Sequence, residues 1–544
     1  MSENDVRYDR QLRLWGDEGQ SCIEHASICI LGSSALATEI AKNLVLAGIR
    51  YIYIVDDATI TEPDLGNNFF MEQCDLGHNR AKVTLRRLKE LNPMVKGDFD
   101  ARSSEDFITN DISSLTKFGV IIGANLVEKT ALEVSKYLFE RNIPFVNAKI
   151  LGFVGYIRIC IKEHTVINSH EENEPLDLRL DRPFQALSAM IGAVDLDSMT
   201  YETHAHTPYL LLYFKALEIW KKLYGGQDEL AFPDSYEKRK EFTKIFSDLR
   251  VPHPANGSMD EENFIEGKAA IVRCLRRTTI PKEVQEILKN EKAEKPDLNV
   301  FWILVAALKR FVMKNNALPI SGRIPDMISD SVRYTSLAKI YREKALKDAN
   351  EVYNSVLSII TERKLPKDFI QLDECKSFCK NAVFLRVQHG TSIEQELNSH
   401  LGDIFAAIRE AEIKPNPVTS RLVIPPSVWY LLMRAVDRFY IEKWRYPGCN
   451  GVPCTIDSHD LKLRVASLIQ DSEVLDASDL LSKIPKEAID EICRYGNSEL
   501  HVIASLIGGI AAQEVIKLAT HQYIPLENCF VFDGHTQQSA TFRL

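Results

Sequence analysis

The chain has 544 residues, too many for one ordinary hydrophobic core, so two or three domains are expected. Its composition, 45% hydrophobic and 26% charged, is that of a globular protein. Lys and Arg total 66 against 76 Asp and Glu, a net charge of −10, which argues against a general nucleic-acid binder and fits partners that are proteins.

The first twenty residues are dense in charge and hold no apolar signal-peptide region. Apolar runs such as 301–308 fall short of the ~20 residues of a membrane helix, so membrane insertion is not expected. Eleven cysteines are scattered without a framework or a Cys-x-x-Cys pair, which reads as reduced thiols in cytosol or nucleus. Cys375 and Cys379 lack the second pair a zinc site needs.

In chain order, residues 7–15 form the first candidate helix. Arg7, Arg10 and Arg13 recur every third residue, and Tyr8, Leu12 and Trp15 fall opposite, giving a basic and an apolar face. The apolar face would anchor the helix and leave the arginines free. Ser27–Leu31 then reads as a buried strand ending at Gly32, 36–46 as a helix, Tyr51–Val55 as a strand ending in Asp56-Asp57, and 81–91 as a helix stopped by Asn92-Pro93. Strand 120–122, helix 129–141 and strand 144–146 complete an alternation that predicts a doubly wound, Rossmann-like α/β sheet. Long amphipathic segments follow, at 207–224, 300–314, 337–363 and 427–443. The end returns to α/β character, with a helix over 503–518 containing Gly508-Gly509 and strands at 529–532 and 539–544. The expected organisation is an α/β domain built from 1–165 and 486–544, interrupted by a mostly helical insertion over 166–485.

Gly32-Ser33-Ser34-Ala35-Leu36-Ala37 stands where a Gly-x-Gly-x-x-Gly loop belongs, but only its first glycine remains. The second normally lets backbone approach a phosphate and the third lets helix and strand pack closely. Asp56 is placed either to bind a ribose or to serve as a turn carboxylate.

The order of Arg10, the degenerate loop, Asp56, Asn67-Asn68-Phe69-Phe70 and Ile507-Gly-Gly-Ile-Ala-Ala-Gln-Glu514 resembles the adenylation domain of ubiquitin-activating enzymes and bacterial ThiF-type adenylyltransferases. An active member would carry a catalytic Asn and Arg, then a Lys and a metal-binding Asp. Here Asp64 and Asn67 stand for the first two, Arg80 for the Lys and Asn125 for the Asp. The resemblance therefore implies a pseudo-active site that binds no cofactor of its own, with ATP and Mg²⁺ held by a partner.

Within that family, Tyr8-Asp-Arg-Gln-Leu-Arg-Leu-Trp-Gly16, Asp177-Leu-Arg-Leu-Asp181, Ile324-Pro-Asp-Met327, Arg434-Ala-Val-Asp-Arg-Phe439 and Ser539-Ala-Thr-Phe542 resemble the non-catalytic, regulatory subunits of the heterodimeric enzymes that serve neddylation. The resemblance implies a catalytic subunit as partner, a ubiquitin-like modifier activated on that partner, and a conjugating enzyme met indirectly. It also implies an arginine finger supplied in trans, matched at Asp9-Arg10-Gln11-Leu12 and so assigned to Arg10, with Arg13 as the alternative. Interface candidates by the same resemblance are Tyr8, Trp15, His206 of the His-Thr-Pro junction, and Asp326, Met327, Ser331, Arg333, Tyr334 and Lys339. His204 and His206 could otherwise ligate a metal. Cys454, in Pro453-Cys454-Thr455-Ile456, imitates the family's thioester cysteine, but no basic cluster adjoins it in sequence and the nearest imidazole is His459. The rival readings are a pure scaffold, in which Arg10 does nothing chemical, and an autonomous nucleotide-dependent enzyme.

Overall fold

The computed structural model describes residues 3–170, 176–226, 228, 231–296, 298–399, 401–417, 420–472 and 476–544. Packing divides the chain into two compact units, residues 1–164 with 387–544, and residues 165–386.

The first unit is built on one twisted sheet. Strands β1 (Ser27–Leu31), β2 (Tyr51–Val55), β3 (Lys96–Asp100), β4 (Val120–Ala124) and β5 (Phe145–Leu151) lie parallel in the order β3-β2-β1-β4-β5. Strand β6 (Val154–Cys160) and the hairpin Cys529–Asp533 and Gln538–Phe542 extend the β5 side antiparallel. The apolar run of β1 follows from burial on both faces: Ile28 and Ile30 enter one core, Cys29 and Leu31 the other. β3, which the sequence reading passes over, is an edge strand with the polar sequence Lys-Gly-Asp-Phe-Asp, so it lacks that apolar signal.

Helices α1 (Glu3–His25, interrupted at Gly16), α2 (Ala35–Ala47), α3 (Glu62–Asn67) and α4 (Arg80–Leu91) belong to the N-terminal half. The helix His501–Thr520 lies in the core between α2 and the sheet, with Ile503, Ile507, Ala511 and Val515 buried. A Cβ on Gly508 would come within 2.7 Å of Glu39 Cβ, so that glycine permits close packing on α2, while Gly509 faces open space. By length and composition His501–Thr520 would pass for a membrane span, which corrects the expectation that no such stretch exists; more than half of it is buried. Its apolarity is that of a core helix.

The C-terminal border differs from the expected one. Residues 387–485, assigned from sequence to the helical insertion, pack with the α/β unit. The helix Pro426–Lys443 places Trp429 and Tyr430 in one core with Val154, Tyr156 and Val531 of the sheet. Beneath that core lies a charge network. Arg158 Nε donates to Glu396 Oε2 at 2.7 Å, Arg434 donates to Glu396 at 3.0 Å and to Glu128 at 2.8 Å, and Lys149 pairs with Asp437. Three cations meet three anions. Long-range pairing of this kind has no sequence periodicity, which is why the border was illegible.

The second unit, 165–386, is helical. Its core gathers Tyr209, Tyr213, Trp220, Phe242, Phe246 and Phe264 with Leu178 and Leu180, so the Asp177–Asp181 motif supplies packing residues. The 32-residue helix Ser331–Glu362 begins at an Asp330 cap, whose carboxylate accepts the Arg333 N–H at 2.8 Å.

Burial pushes the Glu396 carboxyl up, but Arg158 and Arg434 outweigh it and hold the group below its ordinary value of 4.5. Because the folded pKa is depressed, this stabilisation is present above about pH 4.5 and lost as the pH falls through the lower folded value. Glu396→Ala leaves two buried guanidinium groups undercompensated and should cost about 3–5 kcal/mol in urea denaturation at neutral pH. The difference from wild type should shrink in acid.

Candidate functional site

In a doubly wound sheet, ligands bind outside the carboxyl ends of the strands where the order reverses, here between β1 and β4. Gly32 leaves β1 with φ +99, and a Cβ there would meet the Ala124 carbonyl oxygen at 2.9 Å. The first glycine of the degenerate loop is thus kept by backbone crowding, with no phosphate needed to explain it.

The crest of the sheet is closed by internal contacts. Asp56 Oδ2 accepts the Ser33 N–H at 3.0 Å and the Ser33 hydroxyl, and Oδ1 accepts the Ala58 N–H at 3.1 Å. Arg80 donates to Asp56 at 2.9 Å and to Asp64 at 3.1 Å. Burial opposes the charge of Arg80, but Asp56 and Asp64 outweigh it and raise its pKa, fixing the cation. Asp64 also accepts the Thr61 N–H at 2.8 Å in the cap of α3. Asp56 is therefore a turn carboxylate in this fold, and the one cation standing for the family's lysine is clamped by two carboxylates. Asn67 donates at 3.5 Å to the Glu499 carbonyl, and Asn68 Oδ1 accepts from Thr38 at 3.2 Å, so this motif also serves structure.

Glu499 is the residue that sequence reasoning missed. Its Oε1 accepts from Asn125 Nδ2 at 2.5 Å and its Oε2 accepts the Leu36 N–H, in the first turn of α2, at 3.3 Å. Asn125 Oδ1 accepts the Ile150 N–H at 2.8 Å, which fixes the orientation of its carboxamide. Nothing near position 499 in sequence signals a contact with residues 36 and 125.

The N-terminal helix is held from inside the chain. Tyr8 is 4% exposed, its hydroxyl accepts from Asn92 at 3.2 Å, and a Cβ on Gly48 (φ +94) would collide with its ring at 2.7 Å. Trp15 is 8% exposed, stands edge-on to Tyr523 at 6.4 Å, and its carbonyl accepts from Gln522 at 3.1 Å. Both side chains are buried in their own chain, which corrects their assignment to a partner face and leaves them the anchoring role. The three arginines differ. Arg7 donates to the Leu91 carbonyl at 3.3 Å and Arg13 pairs with Asp9 at 2.9 Å. Arg10 is exposed and makes no hydrogen bond or ion pair among the described residues.

In the second unit, the His-Thr-Pro junction and the segment 326–339 come together. The Asp330 N–H donates to the His206 carbonyl at 2.8 Å, and Arg333 donates to the Thr203 carbonyl at 3.0 Å and to Thr207 Oγ1 at 2.9 Å. Tyr334 donates to Asp326 at 3.3 Å. His206, Asp326, Ser331 and Lys339 are exposed, while Met327, Arg333 and Tyr334 are half-buried and brace the patch. Val332, 74% exposed, and Ile328, both within the segment 326–339, add an apolar surface. His204 is buried, meets Glu261 at 2.6 Å and stacks on Phe264, so it is a core histidine and not half of a metal pair.

Cys454 opens the helix Cys454–Asp471, and its Sγ meets only the Cys493 carbonyl oxygen, at 3.8 Å, among the contacts of the described residues. Asp457, one turn on, is held bidentately by Arg445 at 2.6 and 2.7 Å. Arg494 lies within electrostatic reach of the thiol, but no base hydrogen-bonds to it among the contacts of the described residues, and these contacts give a thioester role no support.

The family model of ThiF matches residues 8–544. Over its length the chain is similar to the NEDD8-activating enzyme E1 regulatory subunit of Caenorhabditis elegans, 48% identical over 99% of this chain and 98% of that protein. It is also similar to the protein of that name from Danio rerio, 37% identical over 100% and 99% of the two chains. The regulatory subunit AXL of Arabidopsis thaliana is 35% identical over 99% and 100%. A degenerate adenylation crest on an intact ThiF sheet, together with these full-length likenesses, shows that the chain belongs to the ThiF family, among the regulatory subunits of the NEDD8-activating enzyme.

Proposed function

We propose that this chain pairs with a catalytic subunit and completes that subunit's ATP site in trans through Arg10, while binding no ATP or Mg²⁺ itself. The ubiquitin-like modifier is adenylated and carried as a thioester on the partner, and the conjugating enzyme is served indirectly through it. The observation that carries this reading is the contrast among three arginines of one helix. Arg7 and Arg13 have partners within the chain, and among the described residues Arg10 alone of the three makes no hydrogen bond or ion pair, on a helix fixed by Tyr8 and Trp15. A guanidinium suits the role because it stays charged and grips phosphate oxygens bidentately. The eleven free cysteines support a reducing compartment, cytosol or nucleus.

The surface that meets the catalytic subunit includes, in this reading, His206, Asp326, Ser331 and Lys339 around Val332. An exposed valine flanked by polar and charged groups has the make-up of an interface centre with a polar rim.

Arg10→Ala should leave heterodimer formation intact, because the anchoring side chains are untouched, and lower the rate of modifier adenylation by up to ~10³-fold. Arg10→Lys should restore only part of that rate, since the ammonium keeps the charge without the fork. Arg13→Ala should have the smaller effect. An unchanged rate in Arg10→Ala at saturating partner would favour the scaffold reading.

Val332→Glu should fold normally, within ~0.5 kcal/mol of wild type, because the side chain is already in solvent. Isothermal titration with the catalytic subunit should show about tenfold weaker binding or worse. Wild-type affinity in that titration would remove this patch from the interface.

A further inference from the structure

The crevice between β1 and β4 is not merely short of nucleotide-binding residues; a side chain stands in it. The first N–H groups of a helix have no partner within the helix and attract anions. In the first turn of α2 the Leu36 N–H donates to the Glu499 carboxylate. The carboxylate's other oxygen is held by the carboxamide of Asn125, which sits just past the end of β4 with φ 55. These two points, the opening of α2 and the end of β4, border the crevice where a dinucleotide or ATP-binding sheet receives its phosphates.

The pair is chemically matched. Asn125 faces Glu499 with its amide nitrogen because its oxygen already accepts the Ile150 N–H. An aspartate at 125 would set two carboxylates against each other, so the residue that costs the chain a metal ligand is the one that accommodates Glu499. The backbone at 498–499 is fastened separately: the Gly152 N–H donates to the Ser498 carbonyl at 2.8 Å, and Asn67 reaches the Glu499 carbonyl at 3.5 Å. Burial prevails and raises the Glu499 carboxyl above its ordinary range, against the donors from Asn125 and Leu36 and the charge of Arg80.

Charge points the same way. Asp56, Asp64 and Glu499 contribute three negative charges around the crest and Arg80 one positive charge, a local balance of −2. Like charges a few ångströms apart repel even in partly solvated surroundings.

We propose that Glu499 is a built-in anionic ligand of the degenerate crevice. Its carboxylate takes the place of a phosphate at the opening of α2 and closes the crevice to nucleotides from within. The loss of nucleotide binding is then an occupied site as well as a depleted one. The closure is independent of Arg10, which acts in the partner's site.

The test uses the full chain without its partner, titrated with pyrophosphate and with ATP, each with and without Mg²⁺, and read as thermal shift and calorimetric heat. Wild type should show no saturable response. Glu499→Ala should melt at lower temperature, because the Leu36 N–H and Asn125 lose their acceptor, and should regain stability on adding pyrophosphate. Its apparent affinity should exceed that of wild type by about tenfold or more, the effect of removing one nearby like charge and the group that fills the space. If Glu499→Ala does not fold, Glu499→Ser provides the same opening with a small polar side chain and is read by the same titration. Equal responses of wild type and variant, whether both bind or neither does, would overturn the proposal. A purely structural role for Glu499 would lower the melting temperature without rescue by an anion, and that outcome would overturn it too.

Discussion

Arg80 gives its guanidinium to two carboxylates of its own chain, and the character of the whole sheet crest follows from that pairing. A nucleotide-binding crest needs free positive charge where the phosphates lie. Here the cation is held by Asp56 and Asp64, Asp56 is further engaged by Ser33 and Ala58, and Asp64 also caps α3. With Glu499 at the opening of α2, the Leu36 N–H and the Asn125 carboxamide also have a partner within the chain. The fold of an adenylating domain persists because its sheet, its helix packing and the tight turn at Gly32 depend on apolar burial and backbone crowding, which the lost residues did not supply.

The proposed role of the chain rests on the N-terminal helix. Tyr8 and Trp15 are buried against the chain's own residues, so the orientation of α1 does not depend on a partner. Arg10 then projects from a fixed base. In the proposed reading, this separation of anchoring from contact lets the subunit offer one guanidinium to its partner's site.

Four of the five parallel strands were legible in the sequence, because strands buried in the sheet read as unbroken apolar runs and α2 and α4 carry clear helical periodicity. The basic and apolar faces of residues 7–15 were legible for the same reason. Three features were hidden, each for a physical cause. β3 is a polar edge strand without alternation. The packing of 387–485 on the sheet rests on a buried charge network whose members, such as Arg158 and Glu396, lie 238 positions apart. Glu499 meets Asn125 across 374 positions, and a single glutamate ahead of an apolar helix carries no local mark of that contact. The interface assignment of Tyr8 and Trp15 failed because an apolar side chain beside a proposed functional residue serves equally well as a core anchor, and periodicity alone does not separate the two.

The central claim is that this subunit is inert toward nucleotide by itself and necessary, through one arginine, to a site on its partner. Modifier-dependent exchange of pyrophosphate into ATP tests it most directly, measured on this chain alone, on the catalytic subunit alone and on the equimolar mixture. The account predicts no exchange by this chain, weak exchange by the catalytic subunit, and full exchange only by the mixture. Exchange by this chain alone, or equal exchange by the catalytic subunit with and without it, would contradict the account.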